Sequence, residues 1–152
     1  MAPVINVFKK DSVNFKTLVA VTAQHREMLD QVLSVFDIIP DYDLDLMSKS
    51  QTLESLTGKI LNGISRLLIQ IQPDLIFVQG DTTTTFSASL AAFYQKIPIA
   101  HIEAGLRTHD IYSPFPEEIN RRMTSSIASY HFPPTRQTEL CLLDEGVNKE
   151  KI

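Results

Sequence analysis

At 152 residues, with 43% hydrophobic and 21% charged side chains, the chain has the size and composition of one globular domain with a core of its own. A net charge of −4 with no Lys/Arg run excludes a nucleic-acid footprint, and no segment approaches the roughly 20 apolar residues of a membrane span. The single cysteine, Cys141, excludes an intrachain disulfide, fits a reducing compartment and, between Leu140 and Leu142, reads as a buried structural thiol.

Residues 1–10 run apolar and then basic, the reverse of a secretory signal, so the cytoplasm is the simplest address. Residues 2–10 predict a short amphipathic helix with Val4, Val7 and Phe8 on one face. The β-rich apolar run 16–22 predicts a strand buried on both faces. A helix follows, with Met28, Leu29, Val32, Leu33 and Phe36 at helical spacing, and Pro40-Asp41-Tyr42-Asp43 reads as a break. A long helix is expected from about Thr52 to Ile71, carrying Leu53, Leu56, Ile60, Ile64, Leu67 and Leu68.

Leu75-Ile76-Phe77-Val78 predicts a buried strand, and the threonines after Gly80-Asp81 open a helix running to Tyr94. Residues 97–102 form the next strand. Pro116 suits a helix start, with Glu117 and Glu118 in the first turn. Tyr130-His131-Phe132 is a short strand, and a last helix from about Thr135 stops at Gly146. Alternating helices and buried strands predict an α/β fold: a Rossmann-like, doubly wound parallel sheet. Such a sheet normally opens with a central strand, whereas this chain opens on a helix, so the first strand is expected to be missing.

In open α/β sheets, ligands bind beyond the carboxyl ends of the strands, and three polar clusters fall there. The first is Gly80-Asp81-Thr82-Thr83, where Asp81 serves either as a helix cap or beside an anion or sugar site made by the helix start. The second is residues 101–107, where Glu103 leaves a buried strand and Arg107 is its obvious ion-pair partner. His101, within the strand, reads as a hydrogen-bonded core histidine. The third is residues 114–122, where Glu117 and Glu118 also suit the helix dipole. Adjacent parallel strands bring Asp81 and Glu103 to one cleft, with the loop bearing Glu117 above. Carboxylates so crowded hold protons with unequal strength and can supply both an acid and a base. The four histidines are scattered, without zinc-type spacing, and there is no P-loop, GxGxxG or GxSxG.

Taken together, VTAQHREMLDQVL (21–33), GDTTTT (80–85), SLAAFY (89–94), HIEAGLRT (101–108) and YSPFPEEINR (112–121) resemble the bacterial non-hydrolysing UDP-N-acetylglucosamine 2-epimerases over nearly the whole chain, in order. The resemblance implies the N-terminal half of a glycosyltransferase-B-like fold with two Rossmann-type domains. It implies interconversion of UDP-GlcNAc and UDP-ManNAc, precursors of surface polysaccharides, without a metal or redox cofactor. The C2 proton is removed and UDP expelled to give 2-acetamidoglucal, and both then add back, the proton to the opposite face.

By motif, Asp81, Glu103 and Glu117 match the family's active-site carboxylates, with Asp81, Glu103 and Arg107 expected at the substrate. In some members a second UDP-GlcNAc binds beside the first and activates the enzyme. Gln24 matches a residue of that allosteric site, to which Glu117 is also assigned, while Glu27 stands where some members carry another glutamine. A GTRPE-type loop with an arginine and a lysine is expected before Met1-Ala2-Pro3, and a UDP-binding domain with an active-site histidine beyond Ile152. Residues 1–152 would then be one incomplete N-terminal domain, turning over little in isolation. It would act as epimerase sequence or as an inactive remnant that pairs with an intact epimerase or binds a nucleotide sugar. A homodimer is the expected assembly.

Overall fold

The structure, a computed structural model, describes residues 1–23, 26–46 and 51–152. It comprises two compact units, Met1–Gln51 and Thr52–Ile152.

In the first unit, α1 (Ala2–Lys10) is followed by β1 (Ala20–Val21), α2 (Arg26–Val35) and β2 (Tyr42–Asp43). Strands β1 and β2 pair in parallel, Ala20 opposite Tyr42 and Val21 opposite Asp43. The expected break at residues 40–43 therefore contains a strand. Asp41 secures it by accepting the Val19 N–H at 2.7 Å. The core of this unit is Val19, Val21 and Ile38, against which Ala2, Ile5, Leu29 and Leu33 pack.

That packing corrects the predicted faces. Val4 and Phe8 are half-buried as expected, but Val7 is 67% exposed, and Ala2 and Ile5 pack on the core. In α2, Leu29 and Leu33, one turn apart, face the core, while Met28, Val32 and Phe36 are exposed. Strand β1 is not buried on both faces either: Val19 and Val21 point in and Ala20 out, the alternation of a half-covered strand.

The second unit follows the predicted order closely. Helix α3 (Leu53–Ile71) is capped by the Thr52 hydroxyl and buries Leu56, Ile60, Ile64, Leu67 and Leu68. Strands β3 (Ile76–Gln79), β4 (Ile99–Ile102) and β5 (Tyr130–Phe132) form a parallel sheet in the order β3-β4-β5. The crossovers are α4 (Thr83–Tyr94) and α5 (Glu117–Ile127). Strand β4, paired on both edges, is the most buried, as its apolar run requires. Helix α4 packs on both α3 and α5. Its buried Ser87, Ala88, Ser89, Ala91 and Ala92 are small enough to let both neighbours approach.

The last helix, α6 (Arg136–Asp144), starts in a capping box between Thr135 and Thr138 and ends at Gly146, whose φ is +84°. Leu142 and Thr138 take its buried face, which leaves Cys141 half-buried rather than in the core. A short 3-10 turn, Lys149–Lys151, follows α6. Among the described residues no helix is long and apolar enough to cross a membrane.

Candidate active site

The carboxyl ends of β3 and β4 lie side by side, Gln79 opposite Ile102, and each is followed at once by a turn with positive φ. After β3 the turn is Gly80 (φ +76°); its N–H donates to Ile102 O at 3.0 Å, extending the ladder by one bond. After β4 it is Glu103, at φ +68°. A non-glycine residue in this region is strained, and such strain gathers at functional sites. The Glu103 backbone is held by its N–H bond to Phe132 O (3.0 Å), and its carboxylate turns back across the strand ends to accept from Gln79 Nε2 at 3.3 Å.

Beyond Gly80, Asp81 leads into α4. It is not the helix cap: that role falls to Thr82, whose hydroxyl accepts the Thr85 N–H, while the Thr85 hydroxyl donates to Gln79 O at 2.7 Å. With the cap supplied next door, the Asp81 carboxylate, 28% exposed, is left for other work. Burial pushes its pKa up, and the charges of Glu117 and Glu103 push it further, against the pull of Arg121. Glu117 and Glu103 thus lie close enough for their charges to act on Asp81.

Helix α5 supplies the rest. Its inner face is polar: Glu118, Asn120, Arg121, Thr124 and Ser125 are all buried. Arg121 Nη2 lies 2.9 Å from Asp81 Oδ2, and Asn120 Nδ2 donates to the Asp81 carbonyl at 3.0 Å. Glu117 opens the helix half-buried, as the dipole favours. The sequence reading placed Asn120 and Arg121 in the third polar cluster but gave neither a role. The Glu118–Arg121 spacing of three could have flagged a helical ion pair, but nothing local showed that it faces inward.

Arg107 lies elsewhere. Rather than pairing with Glu103, it makes two 2.7 Å bonds to Glu145 and others to Leu106 O and Ser125 Oγ, with its side chain 1% exposed. The geometry therefore gives it a structural role, because its guanidinium is spent inside the protein. His101 is the core histidine expected, its Nε2 donating to Gly80 O at 2.8 Å. Gln24 lies outside the described residues. Among the described residues no group of three or more metal-ligating side chains gathers.

A parallel α/β sheet with acidic groups gathered beyond its strand ends defines a Rossmann-type enzyme domain. The family model for UDP-N-acetylglucosamine 2-epimerase matches residues 8–152. The chain is 53% identical over 152 residues to the UDP-N-acetylglucosamine 2-epimerase of Salmonella typhimurium, covering 100% of this chain and 40% of that protein. Among solved structures, the UDP-GlcNAc 2-epimerase of Neisseria meningitidis bound to UDP-GlcNAc superposes with a TM-score of 0.94 at 53% identity, over 99% of this chain and 41% of that one. The Methanocaldococcus jannaschii enzyme in complex with UDP-GlcNAc and UDP gives 0.90 at 37% identity, over 99% and 41%. The chain belongs to the UDP-N-acetylglucosamine 2-epimerase family. Its fold is that of the N-terminal domain of these glycosyltransferase-B-like enzymes, and it spans about 40% of the length of the curated relatives it matches.

Proposed function

We propose that this chain supplies the sugar-side wall of an active site that interconverts UDP-GlcNAc and UDP-ManNAc. The observation that carries the reading is that Asp81, just beyond β3, feels the charges of Glu103 and Glu117 and is ion-paired at 2.9 Å with the buried Arg121.

The chemistry asked of such a cluster is proton transfer at carbon. One carboxylate takes the proton from C2 as the C1–O bond to UDP breaks, leaving 2-acetamidoglucal. In the return step, UDP oxygen bonds to C1 while a second carboxylate delivers a proton to the other face of C2. An acid and a base must therefore coexist within reach of one carbon. Asp81, with its raised proton affinity, suits the acid, and Glu103 the base. Glu117 supports them from the start of α5. The Gln79 amide, bonded to the Glu103 carboxylate at 3.3 Å, holds that side chain in place before substrate arrives.

Residues 1–152 are read as one Rossmann-like domain that works with a UDP-binding partner domain. A dimer with a second epimerase chain and a cytoplasmic location accord with this reading. The test is conversion of UDP-GlcNAc to UDP-ManNAc by this chain fused to the remaining sequence of the Neisseria relative. Asp81→Asn and Glu103→Gln should each cut turnover at least about a hundredfold while UDP-GlcNAc still binds. Full activity in either variant would remove that residue from the chemistry. Binding without turnover in the unmodified fusion would favour the non-catalytic alternative.

A further inference from the structure

The inner face of α5 carries a carboxylate that the proposed chemistry does not use. Glu118 is fully buried, unlike half-buried Glu117 beside it. A buried carboxylate is costly unless it is paired and hydrogen-bonded. Glu118 meets both conditions. Oε2 accepts the Thr108 N–H at 3.1 Å, Oε1 accepts the His109 N–H at 3.4 Å, and Arg121 Nη1 lies 3.7 Å from Oε2.

Two features separate this from an acid that merely serves the helix dipole. First, the N–H groups bonded to Glu118 belong to the segment that follows β4, not to α5. Second, the cation it holds is shared: Arg121 presents Nη1 to Glu118 and Nη2 to Asp81, while its Nε donates to Glu117 O at 3.4 Å. A guanidinium facing one carboxylate holds it firmly ionised. When it faces two, the negative charge of each carboxylate offsets part of its pull on the other.

We propose that Glu118 is a positioning residue of the carboxylate cluster: it shares the Arg121 guanidinium with Asp81 and pins the Thr108–His109 segment to the same point. The proposal rests on the reading of Asp81 as part of the chemistry. Besides Arg121, the charges facing Asp81 are Glu117 from α5 and Glu103 from the end of β4. Removing a negative charge beside Arg121 while keeping the side chain's shape leaves the guanidinium's pull on Asp81 less offset, so Asp81 must then release its proton at lower pH. An acid with only a structural role would alter stability and leave the Asp81 titration where it was.

The experiment follows the side-chain carboxyl carbons of the 13C-labelled 152-residue chain against pH by NMR. In the wild type, the Glu118 carbon shows an inflection at the Asp81 midpoint, because both oxygens respond to Arg121. Its absence overturns the proposal without recourse to any variant. In Glu118→Gln the Asp81 midpoint falls by roughly half a unit or more, and in Arg121→Gln it rises by a similar amount. A folded Glu118→Gln chain with the wild-type midpoint also overturns it. Turnover is not read here, so the two ideas fail separately. Retained epimerisation in Asp81→Asn would sink the functional reading and leave this linkage standing. An immobile Asp81 midpoint alongside an inactive Asp81→Asn enzyme would do the reverse.

Discussion

His101 and His131 stand opposite one another across the β4–β5 ladder, both buried, each with an Nδ1 that finds no hydrogen-bond partner among the described residues. Burial lowers the His101 pKa below its ordinary 6.5, and it pushes His131 down to about 4, helped by the positive charges of His101, Lys151 and Arg107. Both rings are neutral in the folded chain at neutral pH. The unfolded chain, with ordinary histidines, takes up protons first on acidification. This contribution to stability is therefore complete above pH 6.5 and is lost as the pH falls toward 4. The urea midpoint should be lower at pH 5 than at pH 7, and His131→Leu should flatten that slope.

Glycine is required at one position and dispensable at another. At Gly105, φ is +88° and an added Cβ would sit 2.2 Å from Thr138 O, inside α6. Gly105→Ala should cost more than about 2 kcal/mol, through strain and a backbone clash that no side-chain movement relieves. Gly58 lies within α3 with nothing within 4 Å of an added Cβ. Gly58→Ala should stabilise the chain by about 0.5–1 kcal/mol. Urea unfolding of the two variants should give shifts of opposite sign.

The Arg107–Glu145 pair gives a stability prediction where the sequence suggested a substrate contact. Glu145→Ala strands a buried guanidinium and should cost about 2 kcal/mol, less than the roughly 3–5 kcal/mol of a fully buried pair because Glu145 is 37% exposed. The Arg107 bond also holds the Glu145 pKa below its usual 4.5, so this pair contributes fully above pH 4.5 and is lost on further acidification. That window lies below most of the histidine range, and pH-resolved unfolding of Glu145→Ala and His131→Leu should separate the two.

For turnover in the fused enzyme, Asp81→Asn and Glu103→Gln should each lower kcat by about 10²–10⁴-fold, the usual loss when a positioned acid or base is neutralised. Arg121→Gln should move the alkaline limb of the pH–rate profile upward, since Asp81, the acid, then holds its proton to higher pH. An unchanged limb would mean that Asp81 does not set it.

By itself the sequence determined the parallel α/β class, every helix and strand of residues 52–146 to within a few positions, and the placing of Asp81 and Glu103 just beyond the ends of β3 and β4. Those follow from local causes: helical spacing in α3, an apolar run too short for anything but a strand in β4, capping threonines, and the rule that strand ends gather ligands. It failed where the answer depended on a distant partner. Which side of α1 and α2 faces inward was settled by the position of Val19, Val21 and Ile38. Tyr42-Asp43 became a strand because β1 offered it an edge. Arg107 was expected to pair with Glu103, and the fold brought it Glu145, 38 residues away, instead. Glu118 and Arg121 look, on paper, like an ordinary solvated helix pair. Only packing against the segment after β4 buries them and turns Arg121 onto Asp81, because that choice of face belongs to the tertiary structure and not to the spacing.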